Sequence, residues 1–193
     1  LPTYLERETL PAVVSGIRQH VPDADILIID DNSSDGTGDI ADAIASDDPH
    51  VRVIHRPGKQ GLGTAYLLGF RHSLSHGYRF AVEMDSDGSH LARELPQLLT
   101  AAKSGAGLAL GARWVPGGRI ENWPWYRQWI SRMGTAVARL ALRSQLRDLT
   151  SGFRVVQTEW LERLDLESLT TQGYGFQVEL AWELELIGCP IVE

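Results

Sequence analysis

The stretch from Phe80 to His90 reads FAVEMDSDGSH. Residues 80–84 are an apolar run broken by one charge, which is typical of a buried parallel strand. The run ends at Asp85-Ser86-Asp87-Gly88, where two carboxylates one residue apart point the same way if the chain stays extended. Like charges this close favour a cation between them, and Mg²⁺ and Mn²⁺ bridge carboxylates to phosphates. Asp85 and Asp87 therefore predict a metal–diphosphate site; the alternative is a polar turn that only closes the strand.

The composition excludes several classes of protein. The chain has 193 residues, of which 43% are hydrophobic and 22% charged, enough for one domain with a substantial core. Its 25 acidic and 18 basic residues give a net charge of −7, which argues against nucleic-acid binding. The single cysteine, Cys189, excludes an internal disulfide and a Cys-rich zinc site and fits a reducing compartment. No run approaches the roughly 18 apolar residues of a membrane span.

Strands alternate with helices in the first 110 residues. The aliphatic runs Ile26–Ile29, Val51–Ile54 and Gly107–Leu110 have strand length, as does the run that opens at Phe80. Helical periodicity fills the segments between them, at about 9–20, 38–45, 64–77 and 91–103. This alternation predicts an α/β domain with a mainly parallel sheet flanked by helices. Further helices are expected at about 126–142, 159–164 and 177–187.

Three polar loops follow three of these strands: Asp30–Thr37, Gly58–Thr64 and Asp85–His90. Ligands of open α/β sheets bind at the carboxyl ends of the strands. The three loops are therefore expected to converge on one edge of the sheet and to form one site.

Two of these loops offer nucleotide-binding candidates. A carboxylate at the end of a strand, as at Asp31, accepts hydrogen bonds from a base N–H or a ribose hydroxyl. Helix capping is the alternative, and it explains Asp35 and Thr37 better than it explains two adjacent acids at the strand end. The second loop contains Lys59 and lacks the GxxxxGK[ST] spacing of a P-loop NTPase, so we interpret it as part of the site wall.

Three arginines lie at irregular junctions near strand ends or loops: Arg113, Arg127 and Arg154. Guanidinium groups suit phosphate oxygens, whereas a surface salt bridge is the ordinary alternative for a single arginine. Three of them at one edge of an acidic chain favour an anion site. Arg127 and Ser131 share one face of the predicted helix at 126–142.

The sequence begins at an expected turn and ends inside an expected strand. The sequence starts at a Pro-Thr-Tyr turn that we interpret as a loop, and it ends at residues 191–193, which are typical of the start of a strand. We therefore expect a fragment that lacks its first strand.

Seven motifs in order resemble one family, the dolichyl/polyprenyl-phosphate mannosyltransferases of glycosyltransferase family 2. The resemblance covers essentially the whole chain, and the stretch WVPGGRIENWP at 114–124 is most similar to bacterial members. The motifs are Pro2-Thr3-Tyr4-x-Glu6, Asp30-Asp31-x-Ser33-x-Asp35-Gly36-Thr37, Gly61-Leu62-Gly63-Thr64-Ala65, Asp85-x-Asp87-Gly88-Ser89-His90, Gly111-x-Arg113, Thr150-Ser151-Gly152-Phe153-Arg154 and Gly173-Tyr174-x-Phe176-Gln177-x-Glu179.

The resemblance implies a single catalytic domain over residues 1–193 with the GT-A fold, a Rossmann-like arrangement. Its nucleotide half would span about 1–110 and its acceptor half about 111–193. The expected reaction is transfer of mannose, with inversion, from GDP-mannose to a polyprenyl monophosphate, with Mg²⁺ or Mn²⁺ as the cofactor. A lipid acceptor implies the cytoplasmic face of the membrane, reached peripherally, through a membrane-protein partner or through a membrane segment outside this chain.

The resemblance also implies the roles of particular residues. The nucleoside and diphosphate would be held by Pro2, Tyr4, Glu6, Asp31, Lys59 and Asp85; the metal ion by Asp85 and Asp87; the acceptor by Arg113, Arg127, Ser131, Arg154 and Gln177; and the chemistry would depend on Asp87, Arg113 and Arg127.

Two positions depart from the family pattern. Ser89 replaces a glutamine that many members carry, which weakens the expectation of a third side-chain metal ligand, and Leu5 replaces an asparagine. Two alternatives remain open on the sequence: a UDP-glucose-dependent polyprenyl-phosphate glucosyltransferase, and a non-catalytic domain that binds a nucleotide or a metal. A Mg²⁺ phosphohydrolase is disfavoured because no aspartate lies in a DxDx[TV] context.

Overall fold

The computed structural model of the chain describes residues 1–112, 125–171 and 173–193, with only the backbone for residues 125–132 and 174. Strands and helices alternate through most of this range. The strands are β1 (Pro2–Thr3), β2 (Ile26–Asp30), β3 (Val51–His55), β4 (Phe80–Glu83), β5 (Leu108–Leu110), β6 (Arg154–Gln157) and β7 (Ile191–Val192). The helices are α1 (Leu10–His20), α2 (Thr37–Asp47), α3 (Leu62–Ser75), α4 (Leu95–Lys103), α5 (Trp125–Leu142), α6 (Thr158–Leu161) and α7 (Tyr174–Leu186), with one 3-10 turn at Ala92–Glu94.

The described strands form two sheets. In the first, β1, β2 and β3 lie side by side and all run parallel, with Ile26 opposite Val51 and Asp30 opposite His55. The second has the order β4-β6-β5-β7; β6 runs antiparallel to both of its neighbours, whereas β5 and β7 are parallel. The predicted α/β class is confirmed, since three of these five strand pairs are parallel and helices separate most of the strands along the chain.

Helices cover both faces of the second sheet. Leu108 and Leu110 of β5 pack in one core cluster with Phe70 of α3, whereas Ala109 between them packs in a second cluster with Leu10 of α1. Alternate residues of this strand therefore face opposite layers, and every residue of β5 is buried. That double burial explains why the strand is continuously apolar in sequence.

Helix α1 shows why the periodic segments fold as they do. Its apolar residues Leu10, Val13, Val14 and Ile17 are spaced at three- and four-residue intervals, and all four are buried. A proline in its first turn removes no hydrogen bond that the helix could have used there.

Three boundaries differ from the sequence-based expectations. Residues Pro2–Thr3 were expected to be a loop, but they form a short strand because their backbone pairs with Ile29 and Asp30 of β2. Helix α3 begins at Leu62, inside the expected Gly-rich loop, and α7 begins at Tyr174 rather than at Gln177. Within the described residues, no helix combines the length and hydropathy that a bilayer crossing requires.

Candidate active site

The carboxyl ends of the first four strands lie together, as the loop pattern predicted. The backbone N–H of Asp31 donates to the Thr3 carbonyl at 3.0 Å, and the N–H of Arg56 donates to the Asp30 carbonyl at 2.8 Å. The Ser86 hydroxyl, just past β4, donates to the Pro2 carbonyl at 2.6 Å. The loops that follow β1, β2, β3 and β4 are thereby joined into one edge.

Asp31 is neutralised by a residue that sequence reasoning missed. Arg56, the residue after β3, forms an ion pair with the Asp31 carboxylate, and both side chains are almost fully buried. The same guanidinium donates to the Thr64 hydroxyl at 2.7 Å and to the Gly61 carbonyl at 3.1 Å. Asp31 also accepts the backbone N–H of Gln60 at 3.3 Å. Arg56 therefore ties the predicted nucleotide-binding carboxylate to the Gly-rich loop; its place directly after a strand, like that of Asp31, was the signal available in the sequence.

Two further predicted nucleotide-binding residues touch each other. The Lys59 ammonium lies 4.0 Å from the centroid of the Tyr4 ring, within the range of a cation–π interaction. Tyr4 is partly exposed, at 38% of its surface. The contact brings the loop after β1 and the Gly-rich loop together beside Asp31.

Glu6 belongs to the same group of acids. Its Oε2 contacts the hydroxyl of Ser86, which lies between the two aspartates of the 85–88 turn. Burial raises the pKa of Glu6 from 4.5 to about 6; the Ser86 hydrogen bond opposes this shift, and the charges of Asp87 and Asp85 add to it. Glu6, Asp85 and Asp87 are therefore close enough to repel one another.

Asp85 is held from three sides and Asp87 is not. The Tyr66 hydroxyl donates to Asp85 Oδ1 at 2.8 Å, and the backbone N–H of Asp85 donates to His90 Nδ1 at 2.9 Å. A side chain at Gly152 would place its Cβ 3.4 Å from Asp85 Oδ2, an ordinary van der Waals distance, so Gly152 lies beside the carboxylate. Asp87 is exposed, and its Oδ1 accepts the Ser89 N–H at 2.8 Å. Burial, followed by the charge of Asp85, raises the pKa of Tyr66 well above its ordinary value, so the hydroxyl keeps its proton.

Asp85 and Asp87 supply two carboxylates, a donor set that would suit a divalent cation shared with phosphate oxygens. Among the described residues, no group of three or more His, Cys, Asp or Glu side chains is placed to hold a metal ion. Mg²⁺ typically takes one or two carboxylates and completes its octahedron with water and substrate phosphates. Ser89 agrees with a site of two carboxylates, because a serine here gives the 85–88 turn no glutamine side chain as a third metal ligand.

A buried charged layer lies directly beneath this turn. Glu83 of β4 and Arg154 of β6 are both fully buried, with Arg154 Nε 3.5 Å from Glu83 Oε2. The guanidinium also donates to the carbonyls of Ser151 at 3.1 Å and of Gln177 at 3.1 Å. Burial raises the pKa of Glu83 from 4.5 to about 7, against the opposing effects of Arg154 and the Gln177 side chain.

This layer corrects two expectations about the acceptor. Arg154 was predicted to contact the acceptor, but its position in the interior, with its donors directed at backbone carbonyls, is inconsistent with direct contact. Gln177 is 1% exposed and lies in the same layer, so it also faces the protein interior. The signal for the layer was the single charge, Glu83, in an otherwise apolar strand.

The side chains of the other predicted acceptor residues are not among the described residues. Arg113 lies outside the described residues, and the side chains of Arg127 and Ser131 lie outside them as well, although the backbone of α5 passes through both positions. Their roles stay predictions.

A large cleft elsewhere in the fold is not the site. It encloses about 400 Å³ between the two sheets and is lined mainly by apolar residues such as Ile17, Ile29, Phe70 and Phe80. None of Asp31, Asp85 and Asp87 lines it. Its chemistry suits apolar packing rather than a charged ligand.

Known proteins resemble this chain in sequence. The family model described as Glycosyl transferase family 2 matches residues 1–165. The whole chain aligns at 46% identity with the undecaprenyl-phosphate mannosyltransferase of Micrococcus luteus, covering 79% of that protein. It aligns equally well, at 46% identity, with the polyprenol monophosphomannose synthase of Mycolicibacterium smegmatis, covering 73% of it.

A solved structure extends the likeness to three dimensions. Glucosyl-3-phosphoglycerate synthase from Mycobacterium tuberculosis, in complex with Mn²⁺ and UDP-glucose, matches 99% of this chain with a TM-score of 0.67 and 25% sequence identity. The chain spans 65% of the length of that synthase.

Proposed function

The chain belongs to glycosyl transferase family 2, and from this premise we propose that it transfers mannose from GDP-mannose to a polyprenyl monophosphate, with inversion at the anomeric carbon. The resemblance found in the sequence is confirmed by the family match and by two mannosyltransferase relatives at 46% identity. The structural similarity to glucosyl-3-phosphoglycerate synthase confirms the GT-A-like fold.

One observation supports the proposal above the others: the acids after β4 share a sheet edge with the paired Asp31 and the stacked Tyr4 and Lys59. A nucleotide lying along this edge would meet aromatic and carboxylate groups for its nucleoside and the Asp85–Asp87 turn for its diphosphate. Arg56 holds Asp31 in place before the nucleotide arrives, which reduces the ordering needed on binding.

Mg²⁺ or Mn²⁺ on Asp85 and Asp87 would offset the charge that builds up on the departing nucleoside diphosphate. In the related synthase, Mn²⁺ accompanies UDP-glucose. The sequence of this chain retains both aspartates in the corresponding family motif, and Tyr66 and Ser89 hold them at the edge.

The acceptor needs little activation. A phosphate monoester has a second pKa near 6 and is already a dianion at neutral pH, so attack requires no catalytic base. The requirement is to hold two anions next to each other, which arginines do well. We assign this role to Arg113 and Arg127 with Ser131, on the basis of the family motif alone.

The exposed face of α5 supports a membrane-facing orientation. Met133, Val137 and Leu140 recur at helical spacing and are 45%, 62% and 84% exposed. Residues 122–147 contain five arginines and no acidic residue, in a chain whose net charge is −7. An apolar stripe in a segment of basic composition is typical of a helix that lies on an anionic membrane surface, where a polyprenyl acceptor resides. We therefore propose that the enzyme lies on a membrane surface, at the cytoplasmic face that the family resemblance implies.

Donor and acceptor are tested together by following radiolabelled mannose from GDP-mannose into a butanol-extractable lipid in the presence of polyprenyl phosphate and Mn²⁺. We expect label in the lipid from GDP-mannose and not from UDP-glucose. Label only from UDP-glucose would replace the donor assignment with the glucosyltransferase alternative. No lipid product from either donor, with nucleotide binding intact by calorimetry, would leave a non-catalytic nucleotide-binding domain.

The membrane surface is tested by co-sedimentation with vesicles of phosphatidylcholine and phosphatidylglycerol. Leu140→Asp removes an apolar group and adds a negative charge on the exposed face of α5, so we expect it to reduce binding. Ser46→Asp adds the same charge on the surface of α2 and serves as the matched control. Equal binding by both variants would refute the role of α5.

A further inference from the structure

The Gly-rich stretch 61–66 reads GLGTAY, and its second glycine is not placed to cradle phosphate. A Cβ on Gly63 would lie 3.0 Å from two ring atoms of Phe176, tighter than most real Cβ contacts. Gly63 therefore allows the first turn of α3 to pack directly against Phe176 at the start of α7. The close approach, rather than turn formation, accounts for this glycine.

Tyr66, three residues further along α3, also packs against Phe176. Its ring is 4% exposed and stacks on Phe176, with the ring centroids 6.2 Å apart and the planes 11° from parallel. The ring is thus fixed by packing on a residue that is itself fully buried. Its hydroxyl reaches out of this core and donates to Asp85 Oδ1 at 2.8 Å.

We infer that Tyr66 is a positioning residue for the metal–diphosphate site, which orients the Asp85 carboxylate through its hydroxyl while Gly63 and Phe176 hold its ring. The inference rests on the proposed function, since it gives Asp85 the role of a metal ligand.

The geometry explains how one hydroxyl orients the carboxylate. Tyr66 occupies Oδ1, and the Asp85 side chain is 31% exposed, so the carboxylate is both anchored and accessible. On the Oδ2 side, His90 Nε2 lies 3.8 Å away and the Gly152 backbone passes close by. A free aspartate would rotate about its last torsion, and a bound cation would have to stop that rotation. Anchoring one oxygen in advance removes this cost, as partners of ligating groups do in metal sites.

The test uses the full chain and the conservative variant Tyr66→Phe, which deletes one oxygen atom and keeps the ring that stacks on Phe176. Tyr78→Phe is the matched control, because the Tyr78 hydroxyl also donates to an aspartate, Asp25 at 2.5 Å, on an exposed surface that includes neither aspartate of the 85–88 turn. Mn²⁺ binding in the presence of GDP is measured by electron paramagnetic resonance, without acceptor and without turnover.

We expect Tyr66→Phe to weaken Mn²⁺ binding about 10- to 100-fold, the usual effect of removing a partner that orients a ligand. GDP affinity without metal should stay unchanged, and so should Mn²⁺ binding by Tyr78→Phe. A merely structural hydroxyl would leave Mn²⁺ affinity as it is. Wild-type protein that binds Mn²⁺, together with a Tyr66→Phe variant that binds it within about twofold, would overturn the role of Tyr66 and leave the proposed function intact.

A second variant keeps the test decisive if Tyr66→Phe folds poorly. Gly63→Ala retains the hydroxyl but requires Phe176, on which the Tyr66 ring stacks, to shift by a few tenths of an ångström. It should weaken Mn²⁺ binding in the same direction, and unchanged binding would count against the inference. Wild-type protein that binds no Mn²⁺ with either GDP or UDP would overturn the metal site itself, and the role of Tyr66 with it.

Discussion

Replacing the buried Glu83 by glutamine is expected to make the protein more stable at pH 8, although it removes one partner of an ion pair. Glu83 lies opposite Arg154 in the antiparallel pairing of β4 with β6, and both side chains are fully buried. Burial raises the pKa of Glu83 from 4.5 to about 7, which means that its desolvation outweighs the attraction of the guanidinium.

The magnitude follows from proton linkage. The folded state binds the Glu83 proton more tightly than the unfolded state does, so this group's contribution to stability is complete below pH 4.5 and is lost as the pH rises through 7. The loss amounts to about 3 kcal/mol in total, and most of it falls between pH 5 and pH 8. The neutral amide of the Glu83→Gln variant would resemble the protonated acid at every pH. Arg154 would keep its contacts with the carbonyls of Ser151 and Gln177.

Urea unfolding of both proteins at pH 5 and pH 8, in the presence of a chelator, measures the effect. The useful quantity is the difference between variant and wild type, because other groups with shifted pKa values, such as His55 and Glu6, are common to both. We expect near-equal stability at pH 5 and an advantage of about 2 kcal/mol for Glu83→Gln at pH 8. A variant that is less stable than the wild type at pH 8 would show that the ion pair stabilises the fold, and the reasoning would be refuted.

Three further predictions concern other parts of the molecule. Asp87→Ala should abolish mannose transfer while changing the free energy of unfolding by no more than about 0.5 kcal/mol, because Asp87 is exposed; retained transfer with Mg²⁺ would contradict its role. Arg56→Met should lower the free energy of unfolding in urea by about 3–5 kcal/mol, since Asp31 is left buried without its cation, and Arg56→Lys should lose less; an unchanged midpoint for both would mean that the pair is not buried. Burial raises the pKa of the Cys189 thiol to about 12, so a thiol reagent at pH 8 should label native protein far more slowly than urea-unfolded protein; equal rates would place the thiol at the surface.

The strands that build the site were predictable because their signals are local. Ile26–Ile29 and Val51–Ile54 are short aliphatic runs that end in polar residues, and the structure places β2 and β3 over nearly the same residues. Where parallel strands end, their loops share an edge, so the meeting of Asp31 with the loops after β1 and β3 followed from topology alone. The roles assigned to Pro2, Tyr4 and Lys59 within that edge rest on the family motif and stay predictions.

Strand direction and very short strands were not accessible in the same way. A strand that is buried on both faces has the same apolar pattern whether it runs parallel or antiparallel, and β6 runs antiparallel between β4 and β5. Strand β1 has two residues and forms only because the edge of β2 is available to it. Its residues carry no periodicity that a pattern could detect.

The sequence pattern alone does not show whether a charged side chain is buried or free to bind a ligand. Arg154 begins β6 and Arg56 directly follows β3, and the structure buries both, although arginines are mostly exposed in folded proteins. Arg154 is held in the interior by partners that are remote in sequence. These are Glu83 on β4 and the Gln177 carbonyl at the start of α7. A guanidinium whose donors are taken up by such partners fixes the position of neighbouring segments and has little left for a ligand. An arginine near a site therefore indicates an anion subsite only after its interior partners are known, and that condition now applies to Arg113 and Arg127.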